Sequence, residues 1–310
     1  MAPMSALPHD NDFRVPFVGH LPGYLTESER TGAAPPDERI YNSLLLQRWR
    51  ALLDSPDSRN EGLVHAFLEH HPSLLPGPWS VDGESGHAAF PMAVISRPKL
   101  PGLSHREPDF LWFSSDSATL YPILIEIETP HKSWFYGDRA EIHSDLTHAH
   151  GQLAEWRAWF NRGHNRIAFL EQYELPPYLA QLQLEPRYVL IYGRRSNYTG
   201  SRRRREKRAE LAREGERLMS FDRLTPAKHS VLFACVRKRQ DGYQAIAVPP
   251  SFTIFGNDKR YMRVIGWKEA LIACRDMCAQ RQDYLSEQLD RLGRDVDGVR
   301  DIRFHSAEWL

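Results

Sequence analysis

Three carboxylates sit where carboxylates are expensive. The stretch "REPDFLWFSSDSATLYPILIEIETPHK", residues 106–132, holds two greasy segments, "PDFLWF" and "YPILIEIE", and with them Asp109, Glu126 and Glu128. A strand buried on both faces is nearly all apolar, and an acid on it is costly unless something binds it. Side chains alternate faces along a strand. Ile123, Ile125 and Ile127 therefore share one face, and Leu124, Glu126 and Glu128 the other. A turn centred between Ser117 and Ala118 pairs residues whose numbers sum to 235, which sets Asp109 opposite Glu126. Directly opposed residues of an antiparallel pair point to one face with Cβ atoms roughly 5 Å apart, whereas a slip of one residue would separate the acids. Carboxylates that close repel, so one is protonated or a cation binds between them. Oxygen ligands of this kind suit Mg2+ or Mn2+. A cation so held keeps waters, one of which can attack phosphorus.

These acids need elements to position them. "ERIYNSLLLQRWRALLDS" has Ile40, Leu44, Ala51 and Leu52 near helical spacing. A second helix starts near "SRNEGLVHAFLEHHP", with Asn60 or Ser58 as cap and Pro72 closing it. On it Glu61 shares a side with Val64 and Leu68 and so leans toward the apolar face. It is either a third acid of the cluster or a helix N-terminal glutamate stabilised by the macrodipole. Residues 73–105 read as loops and short strands. After the hairpin, Leu146, Ala149, Leu153, Trp156 and Phe160 step by three and four, predicting a helix over roughly 144–162 capped by Ser144 or Asp145. A strand "RYVLIYG", a basic helix "SRRRREKRAELAREGERLM", strands within 229–265 and a last helix over about 267–292 follow. This order predicts a sheet covered by helices, a mixed α/β layer. Residues 1–38, rich in Pro, Gly and acids, read as a tail or loose lead-in.

The 310 residues carry 40 basic and 40 acidic side chains, so no whole-molecule field selects nucleic acid and charge must be judged locally. No run of about 18 apolar residues predicts a membrane span, and the N-terminus lacks the basic start and apolar core of a signal peptide. The three cysteines, Cys235, Cys274 and Cys278, point to a reduced, cytoplasmic protein without a disulfide framework. Cys274 and Cys278, at i, i+4 on the last helix, read as buried thiols rather than a metal pair. There is no P-loop, GxSxG, HExxH or paired CxxC motif.

"PDF" in one strand and "EIE" ending the next, behind a helix with Glu61, resembles the PD-(D/E)xK nuclease superfamily. The order of "NEGLVHAFLEHHPSLL", "REPDFLWF", "ILIEIETP", "HAHGQLAEWRAWF", "RYVLIYGRR" and "RLMSFDRLTP" resembles the Shedu anti-phage defence proteins over about 60–225. The resemblance implies a restriction-endonuclease-like mixed β-sheet flanked by helices and Mg2+- or Mn2+-dependent cleavage of double-stranded DNA in defence against phage. It implies Asp109 and Glu126 as metal ligands, Glu61 helping to bind metal or its water, and Gln152 contacting metal water or phosphate. It also implies a homo-oligomer. The third signature position is usually lysine; here it is Glu128. Glu128 acts itself as general base or second-metal ligand, or a lysine reaches in, with Lys132 and Lys99 the candidates. The expected division is a tail and lead-in helix over 1–57, a nuclease domain over 58–225 and a C-terminal β/α extension over 226–310.

Other features carry two readings each. In "RRRREKR", Arg202, Arg203, Arg204, Arg205 and Lys207 either contact phosphates or form a solvated face compensated by Glu206, Glu210, Glu214 and Glu216. His148 and His150 lie about 200° apart on a helix and cannot chelate together, although His148 shares a side with Gln152; His143 precedes them. "HKSWFYGD", 131–138, stacks on nucleic acid or plugs the edge of a core. Two other functions compete with the nuclease. One is a catalytically silent nucleic-acid-binding or sensing module, supported by the missing lysine. The other is a metal-free glycosidase-like carboxylate pair.

Overall fold

The computed structural model describes residues 34–297 apart from 79, 82–88, 104–106, 138–139, 228–232, 241, 255–260 and 262. The expected tail lies outside the described residues up to position 33. In chain order the elements are α1 (Glu38–Asp54), α2 (Glu61–His70), β1 (Phe90–Ser96), β2 (Phe110–Ser115), β3 (Thr119–Ile127), α3 (Ser144–Phe160), α4 (Gly163–Gln172) and α5 (Pro177–Ala180). Then come β4 (Gln183–Leu184), β5 (Arg187–Ile191), α6 (Ser196–Thr199), α7 (Arg202–Ala209), β6 (Glu216–Met219), β7 (Ala234–Lys238), β8 (Tyr243–Ala247), β9 (Val264–Ile265), α8 (Trp267–Ala273) and α9 (Ala279–Asp297).

The strands form one mixed nine-stranded sheet in the order β6-β5-β3-β2-β1-β7-β8-β9, with β4 beside β3. The β2–β3 hairpin has the expected register, from Phe110 opposite Ile125 to Ser115 opposite Leu120. Its turn is set by Asp116, whose carboxylate accepts from the Ala118 and Thr119 N–H groups at 2.8 and 2.7 Å. β5 and β6 add in parallel on the β3 side, and β7 adds in parallel to β1. Strands beyond residue 225 thus continue the same sheet.

The alternation of side chains separates two cores. On one face Phe110, Trp112, Ile123, Ile125 and Ile127 pack with α1 and α2. On the other Leu111, Phe113, Leu120 and Leu124 pack with Leu146, Ala149, Leu153, Trp156 and Phe160 of α3. Each fully buried Leu or Ile contributes roughly 1.5–3 kcal/mol. A one-residue slip would exchange the faces and forfeit much of that, so hydrophobic burial holds the register that aligns the acids.

Four local expectations fail. α1 buries Tyr41, Leu45, Trp49, Leu52 and Leu53 with Leu44 packed at their edge, whereas Ala51 is exposed and Ile40 only partly covered. α3 is capped by His143, whose Nδ1 accepts from Asp145 N, rather than by Ser144 or Asp145. The basic helix stops at Ala209, and Gly215 at φ +73° then turns the chain into strand β6. The last helix is two helices: Cys274 leaves helical backbone at ψ 89°, so Cys278 is not on one helix with it and is exposed, while Cys235 and Cys274 are buried.

Candidate active site

The acids gather where the hairpin strands reach their shared end. Asp109 precedes β2; its N–H donates to Ile125 O at 3.0 Å and its Oδ2 accepts from Ile127 N at 2.8 Å. Glu126 and Glu128 are 8% and 9% exposed. Glu126 accepts a hydrogen bond from Gln152 of α3, but its Oε2 is buried without a partner. Burial pushes the Asp109 carboxyl up to about 7, against the Ile127 N–H and with repulsion from Glu61 and Glu128 adding. Burial also pushes Glu126 well above the ordinary range, with Asp109, Glu128 and Glu61 repelling it and Gln152 opposing. Glu61 opens α2 and is exposed, not turned to the apolar face as expected. Its carboxyl is nonetheless raised by partial burial and by Glu128, and lowered by Lys132.

Lys132 brings an ammonium group into this cluster. Its Nζ donates to Glu128 Oε2 at 2.5 Å. The loop that carries it is pinned from both sides. His131 Nε2 hydrogen-bonds Ser58 Oγ at 2.8 Å, and Ser58 Oγ also meets Ser55 O at 2.7 Å. Glu128 N donates to Ile191 O at 3.0 Å. Lys99, by contrast, is exposed, 3.9 Å from Glu107.

Beside Asp109 opens a cavity of about 230 Å³ whose lining includes Glu61, His65, Arg97 and Glu107. Arg97 adopts φ +48° and its N–H donates to Asp109 O at 2.8 Å, tying the end of β1 to the acid. His65 is 4% exposed and stacked on Phe110, centroids 4.5 Å apart. Its Nδ1 lies 3.6 Å from Glu69 Oε1 and its Nε2 3.7 Å from Asp109 Oδ1. Burial lowers its pKa, with Glu69 opposing. Sequence reasoning missed both residues. His65 carried one signal, a position one helical turn after Glu61 on the same helix; Arg97 carried none.

The family model described as Shedu protein SduA, C-terminal, matches residues 58–225. The chain belongs to this family. Membership in the Shedu family implies a role in anti-phage defence. No curated protein matches the sequence. The matched segment contains Glu61, His65, Asp109, Glu126, Glu128, Lys132 and Gln152, so every residue of the cluster lies in the Shedu region.

The other candidates of this Shedu chain are spread more widely. On α7, Arg202 pairs with Glu206 at 2.7 Å and Lys207 with Glu210 at 4.0 Å. Arg205 bonds Thr199 O, and Arg203 is exposed. Arg204 is half-buried, bonding Asn197 O and Gly137 O with its guanidinium over Phe135. His148 is exposed, while His150 and Arg157 both bind Glu216 at 2.7 Å. Trp134 and Phe135 are buried core residues; Tyr136 is exposed and stacks on His143. Among the described residues no three His, Cys, Asp or Glu side chains converge as a metal cage, and no helix is long and apolar enough to cross a membrane.

Proposed function

We propose that this Shedu chain hydrolyses phosphodiester bonds of double-stranded DNA with a divalent cation, Mg2+ or Mn2+. The observation that carries this is the buried, unpartnered Oε2 of Glu126 beside the raised carboxyl of Asp109. Two buried acids that repel are relieved by a shared cation. Mg2+ is held by one or two carboxylates plus waters and needs no three-residue cage, so the donor set fits. Asp109 and Glu126 would hold the ion, with Glu61 reaching its water. The bound cation supplies charge neutralisation at phosphate and an activated water.

The chain's own residues do the rest. The Ile127 N–H fixes Asp109, and Gln152 orients Glu126. Lys132 supplies the ammonium that position 128 lacks, and Glu128 anchors it and accepts a proton from the attacking water. Arg202, Arg203, Arg205 and Lys207 contact the DNA backbone from α7, giving salt-dependent binding. The family resemblance adds a homo-oligomer working in the cytoplasm, with residues 226–310 as an accessory extension. Linear and plasmid DNA incubated with Mg2+ or Mn2+ test the reading: wild type cleaves, and Asp109→Ala and Glu126→Ala do not. A silent DNA-binding module is the second reading, favoured by glutamate at 128. Tight DNA binding by a wild type that never cleaves would establish it instead.

A further inference from the structure

Arg97 is held in a backbone conformation that few residues other than glycine adopt. It stands at φ +48°, and it precedes Pro98, which pushes the residue before it toward extended backbone. Its N–H donates to Asp109 O at 2.8 Å, so the contact that ties β1 to the acid also holds the strain. Strain kept beside a candidate catalytic acid points to function. The side chain is exposed and lines the cavity of about 230 Å³ together with Glu61, Glu107 and Asp109. Its charge opposes the burial that pushes Asp109 up. Among the described residues, however, the guanidinium makes no hydrogen bond or ion pair, even to the three carboxylates of the same lining. Those acids are engaged elsewhere. Glu107 lies 3.9 Å from Lys99 Nζ, and Asp109 Oδ2 accepts from the Ile127 N–H at 2.8 Å.

His65 brings a second unmet polar group to the same cavity. Its ring is 4% exposed, and its Nε2 is closed off from solvent without a partner. Glu69 Oε1 stands 3.6 Å from Nδ1, too far for a hydrogen bond, and it already accepts from Ser96 Oγ at 2.5 Å. Nε2 is therefore free to carry the ring proton. A cation does not fit here, since Glu126 does not line the cavity and a guanidinium does. A guanidinium fork and an N–H that face one space fit an anion with several oxygens, and phosphate is the common one. Resting on the hydrolytic reading above, we infer that Arg97 is a catalytic residue whose guanidinium binds the DNA phosphate under attack, with His65 Nε2 as a second donor. The fork holds the phosphate oxygens in place beside Asp109 and stabilises their charge as water adds.

The test uses the full chain with duplex DNA and Mg2+. Arg97→Ala should lower single-turnover cleavage about 10²–10³-fold. Guanidinium chloride too dilute to unfold the chain should restore part of that loss where equal NaCl does not. Arg97→Gly relieves the strain at φ +48°, so it should melt at or above the wild-type temperature while losing cleavage; a merely structural role would lower both. On a Glu126→Ala background, which removes cleavage, Arg97→Gln should reduce the salt slope of DNA binding by about 1. Wild-type cleavage by Arg97→Ala, a lowered melting temperature in Arg97→Gly, or an unchanged salt slope would each overturn the inference. A wild type that never cleaves sinks the hydrolytic reading instead, and the salt slope alone then decides whether Arg97 meets a phosphate.

Discussion

Asparagine at position 109 should stabilise the metal-free protein at alkaline pH, although it destroys the candidate metal site. The Asp109 carboxyl is raised from its ordinary 3.8 to about 7, chiefly by burial. Holding it ionised in the fold then costs on the order of 4 kcal/mol. Its side chain is 20% exposed, so an expected gain of about 2–4 kcal/mol allows for solvent screening. The sign follows from proton binding. Between about pH 4 and 7 the native state holds a proton that the unfolded chain has released, so wild-type stability falls as pH rises and levels off above 7. Asparagine removes that slope, and its Oδ1 can still accept the Ile127 N–H that now bonds Oδ2 at 2.8 Å. Urea unfolding in EDTA, followed by tryptophan fluorescence at pH 5 and pH 8, should show Asp109→Asn gaining on wild type as pH rises. Mn2+ should reverse the order: a ligand at 100 times its Kd stabilises wild type by about 2.7 kcal/mol and should leave the variant unmoved. Parallel pH profiles in EDTA, or a variant less stable than wild type at pH 8, would refute the argument that burial and repulsion load this carboxylate.

Lys132→Met should lower single-turnover cleavage by about 10²–10⁴ without weakening DNA binding, the range for loss of a positioned proton-transfer or charge-compensating group. Gly193→Ala should lower the melting temperature and cleavage together. The residue sits at φ +55° and an added Cβ would stand 2.5 Å from Lys132 O, in a backbone region that costs roughly 1–3 kcal/mol for other residues. His150→Ala should lower stability at neutral pH and blunt its loss in acid. Burial alone would raise Glu216, but His150, the Arg213 N–H and Arg157 hold it below its ordinary value, so its contribution is present above about pH 4.5 and is lost as pH falls through the lowered value; urea midpoints at pH 7 and pH 4 measure it. Arg203→Ala should leave stability unchanged and reduce the salt slope of DNA binding by about 1. Arg208→Ala should instead destabilise the fold, because Arg208 bonds Leu218 O and lies over Trp134 and Tyr198 at 5.1 and 4.7 Å.

What was legible in the sequence was local in range. The hairpin register, the separation of Ile123, Ile125 and Ile127 from Glu126, and the packed face of α3 all follow from short periodicities, and the structure reproduces them. β1 falls among the short strands expected over 73–105 but was not placed, because "FPMAVIS" is a buried strand in a proline-rich stretch with no alternation to mark it. β6 was hidden because "ERLM" continues a charged helical pattern, and only Gly215 signals the turn. The break at Cys274 has no glycine or proline at all.

The departure at position 128 shows how the same limit bears on the site. Read along the strand, glutamate stands at the position where the resemblance leads one to expect lysine. In three dimensions an ammonium stands on that glutamate, delivered four residues later by a loop that leaves the sheet. The loop is placed by contacts no periodicity encodes: His131 to Ser58 ahead of α2, and the close approach of Gly193 to Lys132 O after β5. His65 and Arg97 reach Asp109 from α2 and the end of β1 in the same way. A strand pattern can therefore identify the acids, because they belong to the strand. It cannot identify their partners, because those are fixed by where neighbouring elements end. Substitutions at Ser58 or Gly193 should accordingly disturb Lys132 while leaving the Asp109–Glu126 register intact.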